Sequence, residues 1–115
     1  MEPRVFIGQI VDIEIDRPMG SKHPDHNLIY PVNYGLVPGV SGSDGEELDA
    51  YLLGVDRPVK RFTGRCIAVI RRSDDADDKL VVVPDGKHYT NEQIRGLTEF
   101  QERYFKSSIL RGGHP

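Results

Sequence analysis

The sequence predicts a mainly β fold with a C-terminal helix, in which the strands form a closed or nearly closed antiparallel barrel. Five or six short runs rich in valine, isoleucine and leucine are separated by turns with glycine, proline or clustered charges, a pattern typical of small barrels. After Tyr89 the pattern changes, and apolar residues recur at helical spacing. With 115 residues the chain fits a single domain over residues 1–115, with one small core.

The first strand is the clearest of the predicted elements. Val5 to Ile15 is rich in valine and isoleucine, and from Val11 to Asp16 these residues alternate strictly with aspartate or glutamate, which gives a strand one apolar face and one acidic face. The next eleven residues, 17–27, contain prolines, a glycine and polar side chains and are predicted as a loop. Leu28 to Tyr34 is predicted as a short strand, with Pro31 favouring a sheet edge or a bulge.

Three further strands are predicted between charged or glycine-containing turns. Their expected ranges are Ala50 to Val55, Arg65 to Ile70 and Leu80 to Val83. Glycines and prolines at 35–45 form the loop before the first of them. Cys66 lies in an apolar run and has no second cysteine to pair with, so we expect a small buried side chain.

The C-terminal helix is predicted from its caps and its apolar stripe. Two pairs fit a capping box, Thr90 with Gln93 and Thr98 with Gln101. The residues that recur at helical spacing are Phe100, Tyr104, Phe105 and Ile109, before two glycines at 112–113. We therefore expect one helix that continues to about Ile109 and packs an aromatic stripe on the barrel.

Composition narrows the classes of partner. The net charge is −3 and the isoelectric point is near 5.8, which argues against general attraction to nucleic acid or to anionic lipid. The N-terminal residues include neither a long apolar signal core nor a stretch able to span a bilayer. We therefore expect a cytoplasmic protein without a membrane or a nucleic acid as partner.

Two acidic clusters carry the functional signal. Asp44 to Asp49 contains four carboxylates in six residues, and Asp74 to Lys79 contains four aspartates. A single acidic turn is ordinary on a solvated surface, but carboxylates that share a site oppose one another's ionisation unless a cation lies among them. Two such clusters therefore favour one shared site for a hard divalent ion, Mg2+ or Mn2+.

The cations and hydroxyl groups around these clusters indicate phosphoryl chemistry. They are Lys22, Arg71, Arg72 and Lys79, with Tyr30, Tyr34 and Tyr104. Cleavage of a P–O bond requires neutralisation of phosphate charge and an aligned water, both of which metal ions and cationic side chains supply. Glu14 could face such a site from the end of its strand. His23 and His26 are three apart but have no cysteine or third ligand, so they are a weak zinc signal.

Five ordered motifs resemble the soluble family I inorganic pyrophosphatases. They are Ile13-Glu14-Ile15, Gly20-Ser21-Lys22, Tyr30-Pro31-Val32-Asn33-Tyr34-Gly35, the Asp44 to Asp49 cluster and Asp77-Asp78-Lys79-Leu80. The resemblance covers about Val11 to Pro84, and a weaker similarity is present at Tyr104-Phe105-Lys106. It implies an OB-like five-stranded β-barrel with a helix, Mg2+-dependent hydrolysis of pyrophosphate to two phosphates, and a homo-oligomer.

The resemblance also implies roles for individual residues. The implied metal ligands are Asp44, Asp49, Asp74 and Asp77, with Glu14 at the edge of the metal site. The implied phosphate-binding residues are Lys22, Lys79 and Tyr104, with Tyr34 in the hydrogen-bond network. The alternatives Asp75 and Asp78 stay open because this loop is short. Asp77 is preferred because it lies two residues before Lys79, which places both on one face of an extended chain.

The chain departs from the family pattern at three places. Glu46 stands where the family has the aspartate that orients the attacking water, and a misplacement of about one ångström can lower a rate on the order of a hundredfold. The hairpin with a phosphate-binding arginine is missing; Arg17 is a candidate replacement that we do not adopt. Phe105 follows Tyr104 where the family has lysine, so Lys106 is expected to reach from the next position.

Two other functions are alternatives to hydrolysis. The departures above motivate a binding protein derived from a pyrophosphatase, which would hold metal and a phosphate-bearing ligand without fast turnover. An OB-type oligonucleotide binder would need a basic groove with aromatic stacking platforms. The net acidity and the modest aromatic content, five tyrosines and four phenylalanines, argue against the oligonucleotide binder.

Overall fold

The computed structural model describes residues 2–24, 27–42, 44–73 and 77–112. A short 3-10 helix at Pro3–Phe6 precedes the first strand. The strands are β1 (Ile10–Arg17), β2 (Asn33–Ser41), β3 (Glu47–Leu52), β4 (Arg61–Arg72), β5 (Asp78–Val83) and β6 (Ser107–Arg111). The helix α1 (Asn91–Glu102) lies between β5 and β6 in the chain.

Five of the strands close into a barrel in the order β1-β2-β3-β5-β4, with β4 pairing back onto β1. This confirms the predicted mainly β fold with an OB-like five-stranded barrel. Four of the five pairings are antiparallel, but β3 and β5 are parallel neighbours. The expectation of a fully antiparallel barrel was therefore wrong for this pair. Its strands run in the same direction because β4 reverses the chain between them.

Strand β4 connects the barrel to the C-terminal segment. Its first residues, 61–65, pair with β1, and its last residues, 68–72, pair with β6. Strand β5 pairs along the other edge of β4. The sixth strand thus extends the barrel wall.

Two apolar clusters lie on opposite faces of the barrel wall. The first includes Val11, Ile13 and Ile15, the apolar face predicted for β1, together with the fully buried Cys66. Burial raises the pKa of the Cys66 thiol to about 11, so it acts as the predicted small apolar side chain. The second cluster surrounds Ile94, the buried residue through which α1 packs on the sheet.

The segment around the Tyr-Pro motif differs from its prediction. The strand begins at Asn33 and continues to Ser41, whereas Pro31 lies before it and Ile29 forms an isolated bridge with Lys22. Proline has no N–H for a sheet ladder, which explains the later start. Gly35 is required within this strand, because a Cβ atom there would lie 1.8 Å from the backbone oxygen of Glu14 on β1.

The C-terminal helix is shorter than predicted. The capping box of Thr90 and Gln93 is present, but Thr98 lies inside the helix and donates its hydroxyl to the Ile94 carbonyl. The helix ends at Glu102, and the expected helical continuation to Ile109 was wrong because β6 pairs with β4 there, placing Ile109 opposite Ile70. Within the described ranges, no helix is both long and apolar enough to cross a membrane.

Candidate active site

A cleft of about 810 Å3 lies where the barrel strands meet the C-terminal end of α1. Its charged lining residues are Asp16, Arg17, Asp49, Arg72, Asp77, Lys79 and Arg103. Its ring-bearing lining residues are His23, Tyr30, Tyr34, Tyr104 and Phe105. A cleft with both signs of charge and several hydroxyl donors suits a small charged ligand better than an apolar one.

Lys79 is the central cation of the cleft floor. The parallel register of β3 and β5 places Asp49 directly opposite Lys79, and Asp77 precedes Lys79 by two residues. Lys79 Nζ donates to Asp49 Oδ2 at 2.7 Å and to Asp77 Oδ2 at 2.8 Å. Because Lys79 is only 2% exposed, these two carboxylates supply the compensation that its buried charge requires.

Arg72 also lines the cleft and binds Asp77. Its Nε and Nη2 atoms donate to both oxygens of Glu102, at 3.0 and 2.8 Å. Its Nη1 atom donates to Asp77 Oδ2 at 3.0 Å. The ring of Phe105 covers the guanidinium, with 3.6 Å between Cζ and the ring centroid. A row of alternating charge results, which runs Glu102, Arg72, Asp77, Lys79, Asp49.

Neutral hydroxyl groups extend this row under the helix. The Tyr51 hydroxyl donates to Glu102 Oε2 at 2.6 Å and accepts from Gln101 Nε2 at 2.7 Å. The Tyr30 hydroxyl donates to Gln101 Oε1 at 3.0 Å. Burial raises the pKa of Tyr51 and of Tyr34 well above that of a free tyrosine, so both remain protonated donors at neutral pH.

Asp49 is the carboxylate of the cleft with a raised pKa. Burial raises the pKa of Asp49, and the adjacent Lys79 ammonium opposes this effect without cancelling it. The negative charge of Asp77 acts in the same direction as burial. An additional cation beside Asp49 would therefore stabilise its ionised form.

Comparisons with known proteins agree with this geometry. A protein-family model described as inorganic pyrophosphatase matches residues 9–109. The chain belongs to the inorganic pyrophosphatase family. An inorganic pyrophosphatase from Corynebacterium glutamicum is 34% identical over 96 residues, which are 76% of this chain and 61% of that protein. One from Streptomyces coelicolor is 38% identical over 82 residues, which are 62% of this chain and 48% of that protein. The chain thus spans about half to three fifths of the length of these two relatives.

Solved structures show the same fold. The crystal structure of an inorganic pyrophosphatase from Neisseria gonorrhoeae superposes with a TM-score of 0.71 at 22% identity, covering 91% of this chain and 84% of that one. A Helicobacter pylori inorganic pyrophosphatase gives a TM-score of 0.69 at 21% identity. At this level of identity the likeness establishes that the barrel and its helix follow the pyrophosphatase fold.

The cleft brings together part of the residue set that the pyrophosphatase resemblance implies. The members that line the cleft are Tyr34, Asp49, Asp77, Lys79 and Tyr104. Tyr104 is 65% exposed at the rim, whereas the side chain of Tyr34 is buried and lies below Lys79, with 5.6 Å between Nζ and the ring centroid. These five residues come from three strands, the turn after α1 and the segment before β5, so tertiary structure assembles the set.

The other implied residues lie outside the cleft lining. Lys22 and Glu14 are exposed, and Lys106 lines a separate groove between α1 and β6. Asp44 and Glu46 are exposed in the turn between β2 and β3, where Asp44 Oδ1 accepts the backbone N–H of Glu46 at 3.0 Å. Asp74 and Asp75 lie outside the described residues. The roles assigned to all of these by resemblance stay predictions.

The donor set of the cleft fits a hard divalent ion. The described residues include no group of three or more histidine, cysteine or carboxylate side chains placed to hold a metal ion, but Mg2+ is usually held by one or two carboxylates together with water and phosphate oxygens. Asp49 and Asp77 offer such a pair, since Lys79 Nζ lies within 2.8 Å of both. The side-chain contacts of Asp77 with other described residues use Oδ2, and none of those residues donates to its Oδ1. An ion bound there would share the two carboxylates with Lys79.

The sequence indicated Arg72 only as one of several cations near the acidic clusters, and it did not indicate Glu102. Each of the two residues continues the buried face of its strand or helix. This pattern indicates a buried charge only once it is known which face is covered. Arg72 follows Ala68 and Ile70 on the face of β4 that packs under the helix. Glu102 follows Ile94 and Thr98 at four-residue spacing on the buried face of α1.

Proposed function

We propose that the chain hydrolyses inorganic pyrophosphate to two phosphates, and that it does so with a divalent ion, Mg2+ or Mn2+. The observation that carries this proposal is the convergence of Asp49, Asp77 and Lys79 in the cleft of a pyrophosphatase-family barrel. Carboxylates and an ammonium in one place can bind a metal ion and a phosphate side by side. The relatives named above are pyrophosphatases, which supports the same substrate for this chain.

Each cleft residue has a defined part in the proposed reaction. Asp49 and Asp77 would hold the ion, and Lys79 would donate to an oxygen of the phosphate. The hydroxyls of Tyr34 and Tyr104 would donate to further phosphate oxygens or to water in the cleft. A divalent ion bound there would neutralise phosphate charge and lower the pKa of a coordinated water. Arg17 and Arg103, which also line the cleft, add positive charge for a ligand that carries several negative charges.

Further roles follow from the resemblance and are part of the proposal. Asp44, Glu14 and Asp74 would supply additional metal ligands, and Glu46 would orient the attacking water. Lys22 and Lys106 would add phosphate contacts. Because Asp44 and Glu46 lie in an exposed turn, their participation would require that turn to approach the cleft. The binding-protein alternative, which Glu46, the missing arginine and the shortened loops motivate, is not favoured, because the relatives named above are pyrophosphatases.

The resemblance also leads us to propose a homo-oligomer that acts in the cytoplasm, with a small phosphate compound rather than a nucleic acid or a membrane as its partner. Light scattering of the full chain tests the first of these statements. A monomer at micromolar concentration would contradict it.

Phosphate release from pyrophosphate tests the function directly. We expect turnover with Mg2+ and none with excess chelator. Asp49→Ala should lower turnover on the order of a hundredfold to a thousandfold, because it removes a charged group that acts on the transition state.

The matched control for this experiment is Asp85→Ala. Asp85 is an exposed aspartate that pairs with Arg65 at the surface, with 63% of its side chain accessible. This variant should release phosphate at the wild-type rate. Absence of metal-dependent turnover in the wild type would refute the proposal.

A further inference from the structure

Arg72 is a buried cation that is held by more than one carboxylate. Its fork with Glu102 uses Nε and Nη2, which is already a complete bidentate pair. The remaining terminal nitrogen, Nη1, reaches Asp77 Oδ2 at 3.0 Å. The guanidinium lies over the Phe105 ring, and Arg72 is only 7% exposed. Burial and three hydrogen bonds therefore hold the group against Glu102 and Asp77.

Asp77 is consequently paired with two cations before any ligand arrives. Its Oδ2 atom accepts from Arg72 and from Lys79, and Lys79 also binds Asp49. In the described row, three carboxylates are matched by two cations, all within hydrogen-bonding distance of a neighbour. A divalent ion that approaches Asp77 therefore meets positive charge on the far side of the same carboxylate, which lowers the attraction.

A phosphate group changes this balance. The phosphate oxygens can accept hydrogen bonds from Lys79 and complete the coordination of the ion. The negative charge of the phosphate offsets the repulsion between the ion and the cations around Asp77, so each ligand favours binding of the other. We propose that Arg72 is an internal counter-cation that weakens divalent-ion binding to the cleft alone and so makes the ion and a phosphate group bind together. This rests on the proposed function, because Asp49 and Asp77 are taken as the residues that hold the ion.

A second arginine of β4 provides a matched comparison. Arg65 also forms an arginine–carboxylate pair, with 2.7 Å between its Nε and Asp85 Oδ1. Neither Arg65 nor Asp85 lines the cleft. Loss of this pair removes the same kind of contact from the protein surface and leaves the charged residues beside Asp77 unchanged.

The test is a titration of the full chain with Mn2+, followed by electron paramagnetic resonance, in the absence and presence of inorganic phosphate. Arg72→Met alone would leave Glu102 as a buried charge without its arginine and can prevent folding. The informative variant is therefore Arg72→Met with Glu102→Gln, which removes both charges and keeps an amide oxygen for the Tyr51 hydroxyl. Circular dichroism establishes that the variant is folded.

We expect the folded double variant to bind Mn2+ alone about tenfold more tightly than the wild type. Phosphate should raise the Mn2+ affinity of the wild type at least about tenfold. This increase should be smaller in the double variant, because the repulsion by Arg72 that phosphate offsets is then absent. The control, Arg65→Met with Asp85→Asn, should match the wild type in both measurements. A purely structural role for Arg72 would leave the Mn2+ affinity of the folded double variant unchanged.

Unchanged or weaker Mn2+ binding by the folded double variant would overturn the inference. The inference and the proposed function can fail independently, because Mn2+ binding is measured without turnover. A wild type that shows the expected coupling but releases no phosphate from pyrophosphate would retain the inference and lose the hydrolytic function. Absence of Mn2+ binding in all three proteins would overturn both.

Discussion

Asp44 and Asp49 belong to the same acidic cluster but lie in different environments. Asp49 is in β3, and its register with β5 places it 2.7 Å from the ammonium of Lys79. Asp44 is in the preceding turn, where it is exposed and accepts a backbone N–H from Glu46. The difference shows that sheet register, and not the local density of carboxylates, determines which acidic residue reaches the cleft.

The largest expected difference between these positions is in catalysis. If the turn stays exposed, Asp44→Ala should lower Mg2+-dependent phosphate release by less than about tenfold, against a loss on the order of a hundredfold or more for Asp49→Ala, because of the two only Asp49 lies beside Lys79. Initial rates at saturating Mg2+ measure both effects. A loss for Asp44→Ala as large as that for Asp49→Ala would show that the turn moves into the cleft during the reaction, as the family resemblance implies.

Local patterns in the sequence were sufficient for much of the fold. The strict alternation from Val11 to Asp16 predicted β1, and Thr90 with Gln93 predicted the start of α1. The helix end was missed because the spacing of Phe105 and Ile109 also suits a helix, while pairing of β6 with β4 is a contact between distant parts of the chain. Short segments of ambiguous period are decided by such tertiary partners.

The candidate site could be predicted only where the signal was local or where a family motif was present. The proximity of Asp77 and Lys79 follows from their two-residue spacing, whereas the approach of Asp49 depends on the parallel pairing of β3 with β5, which the sequence did not indicate. The neighbours Arg71 and Arg72 looked equivalent in the sequence. They differ because Arg71 joins the N-terminal segment and Arg72 lines the cleft.

The pH dependence of metal binding also distinguishes the buried Asp49 from an exposed aspartate such as Asp44. Burial raises the pKa of Asp49 above the 3.8 of an exposed aspartate, so protons compete for this carboxylate at a higher pH than in a solvated turn. As the pH falls through the raised pKa, Asp49 becomes protonated and the affinity for Mn2+ should decrease. Titrations at a series of pH values from 7 to 4 measure this decrease, with about tenfold per pH unit as the limit for one required carboxylate.

Asp49→Asn is the control for this measurement. The variant should bind Mn2+ more weakly at pH 7 and should lose the steepest part of the pH dependence. An affinity that stays constant until the pH reaches the range of an exposed aspartate would show that burial of Asp49 does not govern the metal site.

The smallest expected effect tests whether the turn is independent of the cleft. Gly45 has φ +85° and no atom within 4 Å of an added Cβ, so Gly45→Ala introduces backbone strain without a clash and should lower the free energy of unfolding by about 1 kcal/mol. Gly96→Ala in α1 also has open space but should raise it by about 0.5–1 kcal/mol, because alanine is the better helix former. Urea unfolding measures both changes. Phosphate release should be the same in both variants as in the wild type, since neither residue lines the cleft. If Gly45→Ala instead lowers phosphate release about tenfold while the protein remains folded, the conformation of the turn contributes to the reaction. The turn that contains Asp44 would then not be independent of the cleft that contains Asp49.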